Sequence, residues 1–120
     1  MEIKYKIDIA NDFSKFPAGR YRTEGKASGE AFLTDHLIGT LLACIIENVK
    51  VEINLTGMNG YPSSFISGSV GKISHELGKK IGQDEASILL KKHIEFVCDD
   101  SLTRKLAFEN EIESPITPKK

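Results

Sequence analysis

The chain contains no tryptophan, two cysteines and four prolines among 120 residues, and it carries almost no net charge. Each shortage narrows what the protein can be. Cys44 and Cys98 stand singly in the apolar runs LLACII and IEFVC, outside any CxxC or Cys/His cluster. They read as two buried thiols rather than a disulfide or a zinc site. The 16 basic and 17 acidic residues leave a formal charge of −1, without the basic excess of a sequence-independent nucleic-acid binder. No N-terminal apolar segment precedes a cleavage site, and no stretch approaches the length of a membrane span. The sequence points away from nucleic acid and membrane as partners, and a cytoplasmic location is the expectation. His36, His75 and His93 lack Asp, Glu or Cys at ligand spacing. They read as solvent-facing or partly packed, and neither a metal nor a cofactor is expected.

What is present divides into alternating patterns. Ile3 to Ile9 places Ile3, Tyr5, Ile7 and Ile9 on one side and Lys4, Lys6 and Asp8 on the other, which predicts a half-buried strand. Residues 13–30, FSKFPAGRYRTEGKASGE, are broken by Pro17, Gly19, Gly25 and Gly29 and read as a long loop, with a short strand near Tyr21 as an option. Loops of this length are more often functional or mobile than filler. Ser28 fits an N-cap, with Glu30 at the positive end of the helix it opens. Ala31, Leu37, Ile38, Leu41, Leu42, Ile45 and Ile46 then recur at helical spacing, predicting a helix over 29–47 with one broad apolar face.

Lys50 to Leu55 predicts the next strand. Phe65, Ile66, Val70, Ile73 and Leu77 predict a helix over 63–77 ended at Gly78. Asp84 is placed to cap a short helix through Lys91, and His93 to Val97 reads as a strand. Asp99 or Asp100 reads as the cap of a last helix carrying Leu102, Leu106 and Phe108 or Ile112. Strands separated by helices predict an α/β fold with a mainly parallel sheet and covering helices. One domain over residues 1–113 is expected, with 114–120 as a flexible tail.

Two segments carry candidate chemistry. VEINLTGMNGYPSSF, residues 51–65, reads as a buried strand, a glycine-marked loop, and the pair Ser63 and Ser64 at a helix start. A helix N-terminus offers unpaired N–H groups and partial positive charge, so a phosphate attached or bound there meets donors already in place. A plain N-cap serine, worth about 1 kcal/mol, is the structural alternative. The segment lacks the Gly-x-Ser-x-Gly of a nucleophile elbow, and no His/Asp pair completes a serine hydrolase, so no enzyme activity is expected. In the long loop, Arg20, Arg22 and Lys26 are interleaved with Tyr21, Glu24 and glycines. Guanidinium groups there can clamp a phosphate or a carboxylate, or form salt bridges with Glu24 and Glu30. Arg20 or Arg22 is expected near Ser63 and Ser64.

These residues resemble a known family. INLTGMNGYPSSFISGSVG is similar to the signature of STAS domains, the fold of bacterial anti-sigma factor antagonists. Asn54, Leu55, Thr56 and Gly57 match its strand end, and Ser63 and Ser64 match its serine pair. Ser64 corresponds to the serine that partner kinases phosphorylate in the antagonists. Pro62 stands where the antagonists have Asp, and Phe65 where they have Gly. HIEFVCDDSLTRKL resembles the closing strand and helix. A fuller likeness is to the STAS-like family of unknown function DUF4325, carried by Pro17, Gly19, Arg20, Tyr21, Ser28, Gly29, Glu30, Gly60, Tyr61, Ser63, Ser64 and Phe65. Some relatives in that family are joined to histidine-kinase-like ATPase domains.

The resemblance implies a STAS-like single domain, with a mixed, mainly parallel sheet of about four strands and helices packed mainly on one face. It implies a regulatory protein-binding module, switched by phosphorylation of Ser64 or Ser63 by a histidine-kinase-like ATPase. Asn59, Tyr61 and Phe65 would meet the partner, together with Arg20, Tyr21 and Arg22, with Phe65 equally suited to the core. The alternative is a small anion- or nucleotide-binding protein, or an enzyme, that uses the Arg20/Arg22 loop and the Ser63/Ser64 helix start as a phosphate cradle.

Overall fold

The computed structural model describes residues 1–60 and 62–115. Strands β1 (Ile3–Asp8), β2 (Lys50–Asn54) and β3 (Ile94–Val97) form one sheet in the order β1-β2-β3, with both pairings parallel. The sheet is thus wholly parallel and has three strands among the described residues, where a mixed sheet of about four was expected. The segment near Tyr21 is a 3-10 turn, Arg22–Glu24, rather than a strand. The Glu24 carboxylate accepts the N–H groups of Arg20 (2.5 Å) and Tyr21 (3.1 Å), which takes the amides that a ladder would need.

Register explains the alternation seen in the sequence. Tyr5, Val51 and Ile94 share one row, and Ile7, Ile53 and Phe96 the next. These rows face the core. The row between them, Lys6, Glu52 and Glu95, is polar and points the other way. Helix α1 (Gly29–Glu47) lies over β1 and β2. Helix α2 (residues 63–81) packs on the first turns of α1. Helix α3 (Gln83–His93) runs beside α2 and covers β2 and β3, and α4 (Leu102–Glu113) packs on β3 and α2.

Helix ends follow local chemistry. Ser28 is buried and its Oγ accepts the Ala31 N–H (3.2 Å), the expected cap of α1. α1 is 19 residues long and apolar enough to cross a membrane by length and composition, against expectation. Its inner positions Leu37, Leu41 and Cys44 are buried, as in a core helix. Its outer positions Ile38, Leu42 and Ile46, expected on the apolar packed face, are exposed. α2 continues through Gly78 to Gly82, whose N–H reaches the Gly78 carbonyl (2.9 Å) and whose φ of 93° breaks the helix. Gly82, rather than Asp84, opens α3.

His93 ends α3 fully buried, its Nδ1 2.9 Å from the Val49 carbonyl, so it is neither solvent-facing nor partly packed. Ser101, rather than Asp99 or Asp100, caps α4, its Oγ accepting the Arg104 N–H (3.1 Å). Cys44 is buried, whereas Cys98 is only half-buried. On α4, Phe108 and Ile112 are buried while Leu102 and Leu106 are exposed. Of the expected tail, Ser114 and Pro115 follow α4, and 116–120 lie outside the described residues.

The site depends on one close crossing. The start of α1 lies against α2 so tightly that a Cβ on Gly29 would sit 2.6 Å from the Phe65 carbonyl oxygen, and the long loop lies against the same helix so that one on Gly68 would sit 2.9 Å from the Arg20 carbonyl oxygen. Both obstacles are backbone and cannot swing aside. Gly29→Ala is therefore expected to lower unfolding free energy by about 1–3 kcal/mol. Gly39→Ala, in open space on the same helix, should raise it by about 1 kcal/mol. Urea denaturation of both variants checks the pair, and a Gly29→Ala midpoint at or above the wild-type value would refute the crossing.

Candidate functional site

The loop after β2 is held in place by side chains from three directions. Asn54 Oδ1 accepts the Thr56 N–H (3.0 Å), which sets the turn out of the strand. Thr56 Oγ1 accepts the Asp99 N–H (2.8 Å), and the Gly57 N–H donates to Asp100 Oδ2 (3.1 Å). These bonds couple the ends of β2 and β3. The Asn59 N–H donates to the Lys15 carbonyl (2.8 Å), which couples the same loop to the long loop before α1.

The centre of this arrangement is Arg104, 6% exposed, which the sequence reading did not single out. Its Nε donates to the Gly60 carbonyl (2.6 Å), Nη1 to the Leu55 carbonyl (3.2 Å) and Asp100 Oδ1 (2.6 Å), and Nη2 to the Met58 carbonyl (2.7 Å). A planar guanidinium has the fork of donors this needs, which an ammonium group lacks. The spacing Asp100 to Arg104, four residues apart, was the available signal. Asp99 and Asp100 both read equally well as caps of α4, which masks that pairing.

Beyond the loop, Pro62 holds the N-cap position of α2, so Ser63 and Ser64 are its first two residues. The first intrahelical bond runs from the Ile66 N–H to the Pro62 carbonyl (3.1 Å), which leaves the amides of Ser63, Ser64 and Phe65 ahead of it. Neither serine caps the helix, and neither hydroxyl has a hydrogen-bond partner among the described residues. Ser63 is exposed and Ser64 half-buried. Phe65 is fully buried, its ring packed against Phe13, Phe32 and Phe108 at centroid distances of 6.0, 5.6 and 6.5 Å. It is a core anchor for the turn, which corrects its expected role as a partner contact. Tyr61 lies outside the described residues.

The loop arginines divide. Arg20 donates from Nε and Nη2 to Ser67 Oγ, both at 3.2 Å, one turn past the serine pair. Arg22 turns toward α1, donating to Thr34 Oγ1 (2.5 Å) and Asp35 Oδ1 (2.7 Å). Arg20 thus reaches the same helix as the serines, and Arg22 does not. The Arg22 guanidinium holds the Asp35 carboxyl below the usual Asp range. Glu24, bonded first by the Tyr21 and then by the Arg20 amide, is likewise held below its usual range. Tyr21 is exposed, as is Asn59.

Backbone pairings close the base of the long loop: Ala18 N–H to the Ala27 carbonyl, Gly29 N–H to Gly19 and Glu30 N–H to Arg20, each at 2.9 Å. A cleft of about 500 Å³ lies between the open edge of β3 and α4, among Ile94, Phe96, Leu106 and Glu109, and it contains none of the candidate residues. Compared with known proteins, the chain matches no family model, no curated protein and no solved structure.

Arg104→Met removes all five guanidinium bonds, the long one to Cys98 Sγ (3.5 Å) included, and leaves three carbonyls facing an apolar side chain. It is expected to lower unfolding free energy by about 3–5 kcal/mol, with Arg104→Lys recovering only part. Chemical denaturation reads this, and a loss under 1 kcal/mol would refute the hub.

Asp100 gives a second test. The Gly57 N–H first, then the Cys98 thiol, and then the Arg104 charge hold its carboxyl below the ordinary Asp value of 3.8. A carboxyl depressed on folding lends stability that is complete above the unfolded pKa and is lost as pH falls through the folded one. The stability gap between wild type and Asp100→Asn should therefore be constant at neutral pH and narrow below pH 3.8. Thermal melts across acid pH measure it, and a gap that widens on acidification would overturn the assignment.

Proposed function

We propose that this chain is a regulatory protein-binding module of STAS type. Its switch is phosphorylation at Ser64 or Ser63 by a partner histidine-kinase-like ATPase. The observation that carries the reading is the idle serine pair. Two serines open a helix, yet Pro62 holds the cap position and neither hydroxyl has a partner among the described residues. Serines with a structural duty there would accept a first-turn amide. These do not, while Phe65 beneath them and Arg104 behind the preceding loop fix their position.

A phosphate on either serine would add roughly −1.5 to −2 charge beside the first-turn amides that precede the first intrahelical bond. That charge suits the helix N-terminus, so the fold tolerates it. Its effect falls on the surface shared with the partner, through repulsion or a new contact. The alternative phosphate cradle would require Arg22 to leave Thr34 and Asp35 and turn toward α2.

The test combines capture and substitution. Affinity capture of the tagged chain from its source cell, followed by mass spectrometry, should show an ATPase partner and phosphate on Ser64 or Ser63. Ser64→Asp is expected to change affinity for the captured partner at least tenfold, while Ser64→Ala changes fold stability by less than about 0.5 kcal/mol. Unmodified serines together with wild-type affinity in both Ser64→Asp and Ser63→Asp would overturn the switch. A thermal shift with nucleoside phosphates, lost in Arg22→Ala, would move the reading to the cradle.

A further inference from the structure

Strand β3 is one edge of the sheet. Its Val97 carbonyl accepts the Leu55 N–H (2.8 Å), so the main chain of Val97 is turned toward β2. Main-chain direction alternates along a parallel ladder, and the N–H and C=O of Phe96 therefore point to the open edge. The C=O of Ile94 points the same way, while its N–H is taken by the Leu90 carbonyl. None of these three outward groups has a partner among the described residues. The opposite edge, β1, is defended. It carries Lys4 and Lys6, and its register with β2 slips between Ile3 and Tyr5. Lysines and irregular register both discourage an added strand. β3 has no lysine, no proline and no slip.

The 500 Å³ cleft runs along this undefended edge, with Leu106 and Glu109 of α4 on its far wall. Leu106 is 45% exposed there. Two ion pairs line the cleft, Lys50–Glu95 (3.3 Å) and Lys91–Glu113, and each cancels within the chain. Glu109 is different. It is half-buried, and among the described residues its carboxylate has neither an ion pair nor a hydrogen bond.

We propose that the β3 edge accepts an extended segment of a partner protein as a further strand, with a Lys or Arg of that segment on Glu109 and an apolar side chain on Leu106. The main-chain groups set the form of the occupant. A donor and two acceptors in strand register match an extended backbone, whereas the main chain of a helix is already paired. Charge sets its chemistry. A strand laid on this edge covers Glu109, and a covered carboxylate without a counter-charge is costly, so the segment must bring a cation. Length sets the strength. β3 has four residues, about 13 Å of strand, so the contact is short and readily released. It uses no residue of the serine turn and stands or falls separately from the switch.

Selection of a displayed library of random linear peptides on the full chain tests this. Enriched peptides should carry a Lys or Arg beside apolar residues. The selected peptide should slow hydrogen exchange of the Phe96 amide at least tenfold, read by NMR. Methylating its own amides at one parity should abolish binding, and at the other parity should leave it intact. Glu109→Lys should weaken the peptide at least tenfold while keeping the wild-type circular dichroism, and exchanging the peptide's cation for Glu should recover the affinity. Lys6→Glu, at an exposed position on β1, should bind as wild type. The absence of any enriched peptide, a Phe96 amide whose exchange the peptide leaves unchanged, an affinity indifferent to Glu109→Lys, or a chain that dimerises through β3 without peptide would each overturn the proposal.

Discussion

One buried cation organises the carboxyl end of the sheet. The loop after β2 brings three backbone carbonyls there that helix and ladder leave unsatisfied, and the segment after β3 brings the Asp100 carboxylate. Arg104 reaches from the first turn of α4 and takes up Leu55, Met58 and Gly60 together, with Asp100 balancing its charge. A buried charge would be costly alone. Here the polar loop supplies its solvation, and the loop gains a fixed shape in return. The last helix and the second crossover are thereby joined, although nearly fifty residues of chain separate them. The resembling Asn-Leu-Thr-Gly segment acquires a physical meaning in the same place. Asn54 turns the chain out of β2, Leu55 is buried, Thr56 receives the Asp99 amide, and Gly57 presents its amide to Asp100.

The serine turn takes its rigidity from a second source, the crossing of α1 over α2. Gly29 removes a side chain where the two backbones meet, and Gly68 removes one where the long loop at Arg20 lies on α2. That proximity lets Phe65 enter the ring cluster of Phe13, Phe32 and Phe108, and it lets the Arg20 side chain reach Ser67. The small residues of α2 lower its intrinsic helix propensity. Their value lies in packing, because the same residues admit the long loop against the helix.

Sequence periodicity was enough for all three strands and for α1, because alternation and helical spacing record which face is buried. It was weaker wherever one residue could play two parts. Gly78 resembles a helix stop, yet in the fold it lies inside α2 and Gly82 makes the break. Asp100 resembles a cap, yet it serves Arg104 and Gly57 while Ser101 caps. Phe65 could be surface or core, and only the three-dimensional ring cluster decides. Within the site, the serine pair at a helix start and the reach of Arg20 toward the same helix were legible. Arg104 was not, because its partners are backbone carbonyls, and carbonyls leave no trace in residue identity. The outer stripe of α1 was misassigned for a related reason. Spacing shows which residues share a face, but it does not say whether the molecule itself supplies the cover.

The state of the arginines bears directly on how a phosphate at the serine turn would act. A phosphoserine that orders its own protein needs an arginine ready to receive it. Arg104 has already committed donors to three carbonyls and a carboxylate, Arg22 is paired with Asp35, and Arg20 holds Ser67. The guanidinium groups nearest the turn are therefore engaged before any modification. New charge there would meet first-turn amides and solvent, and it would cause little internal rearrangement. Its consequence would be felt by whatever surface approaches the turn. This chemistry suits an interface whose shape stays fixed while its charge changes, and it distinguishes this site from a loop that refolds around a phosphate.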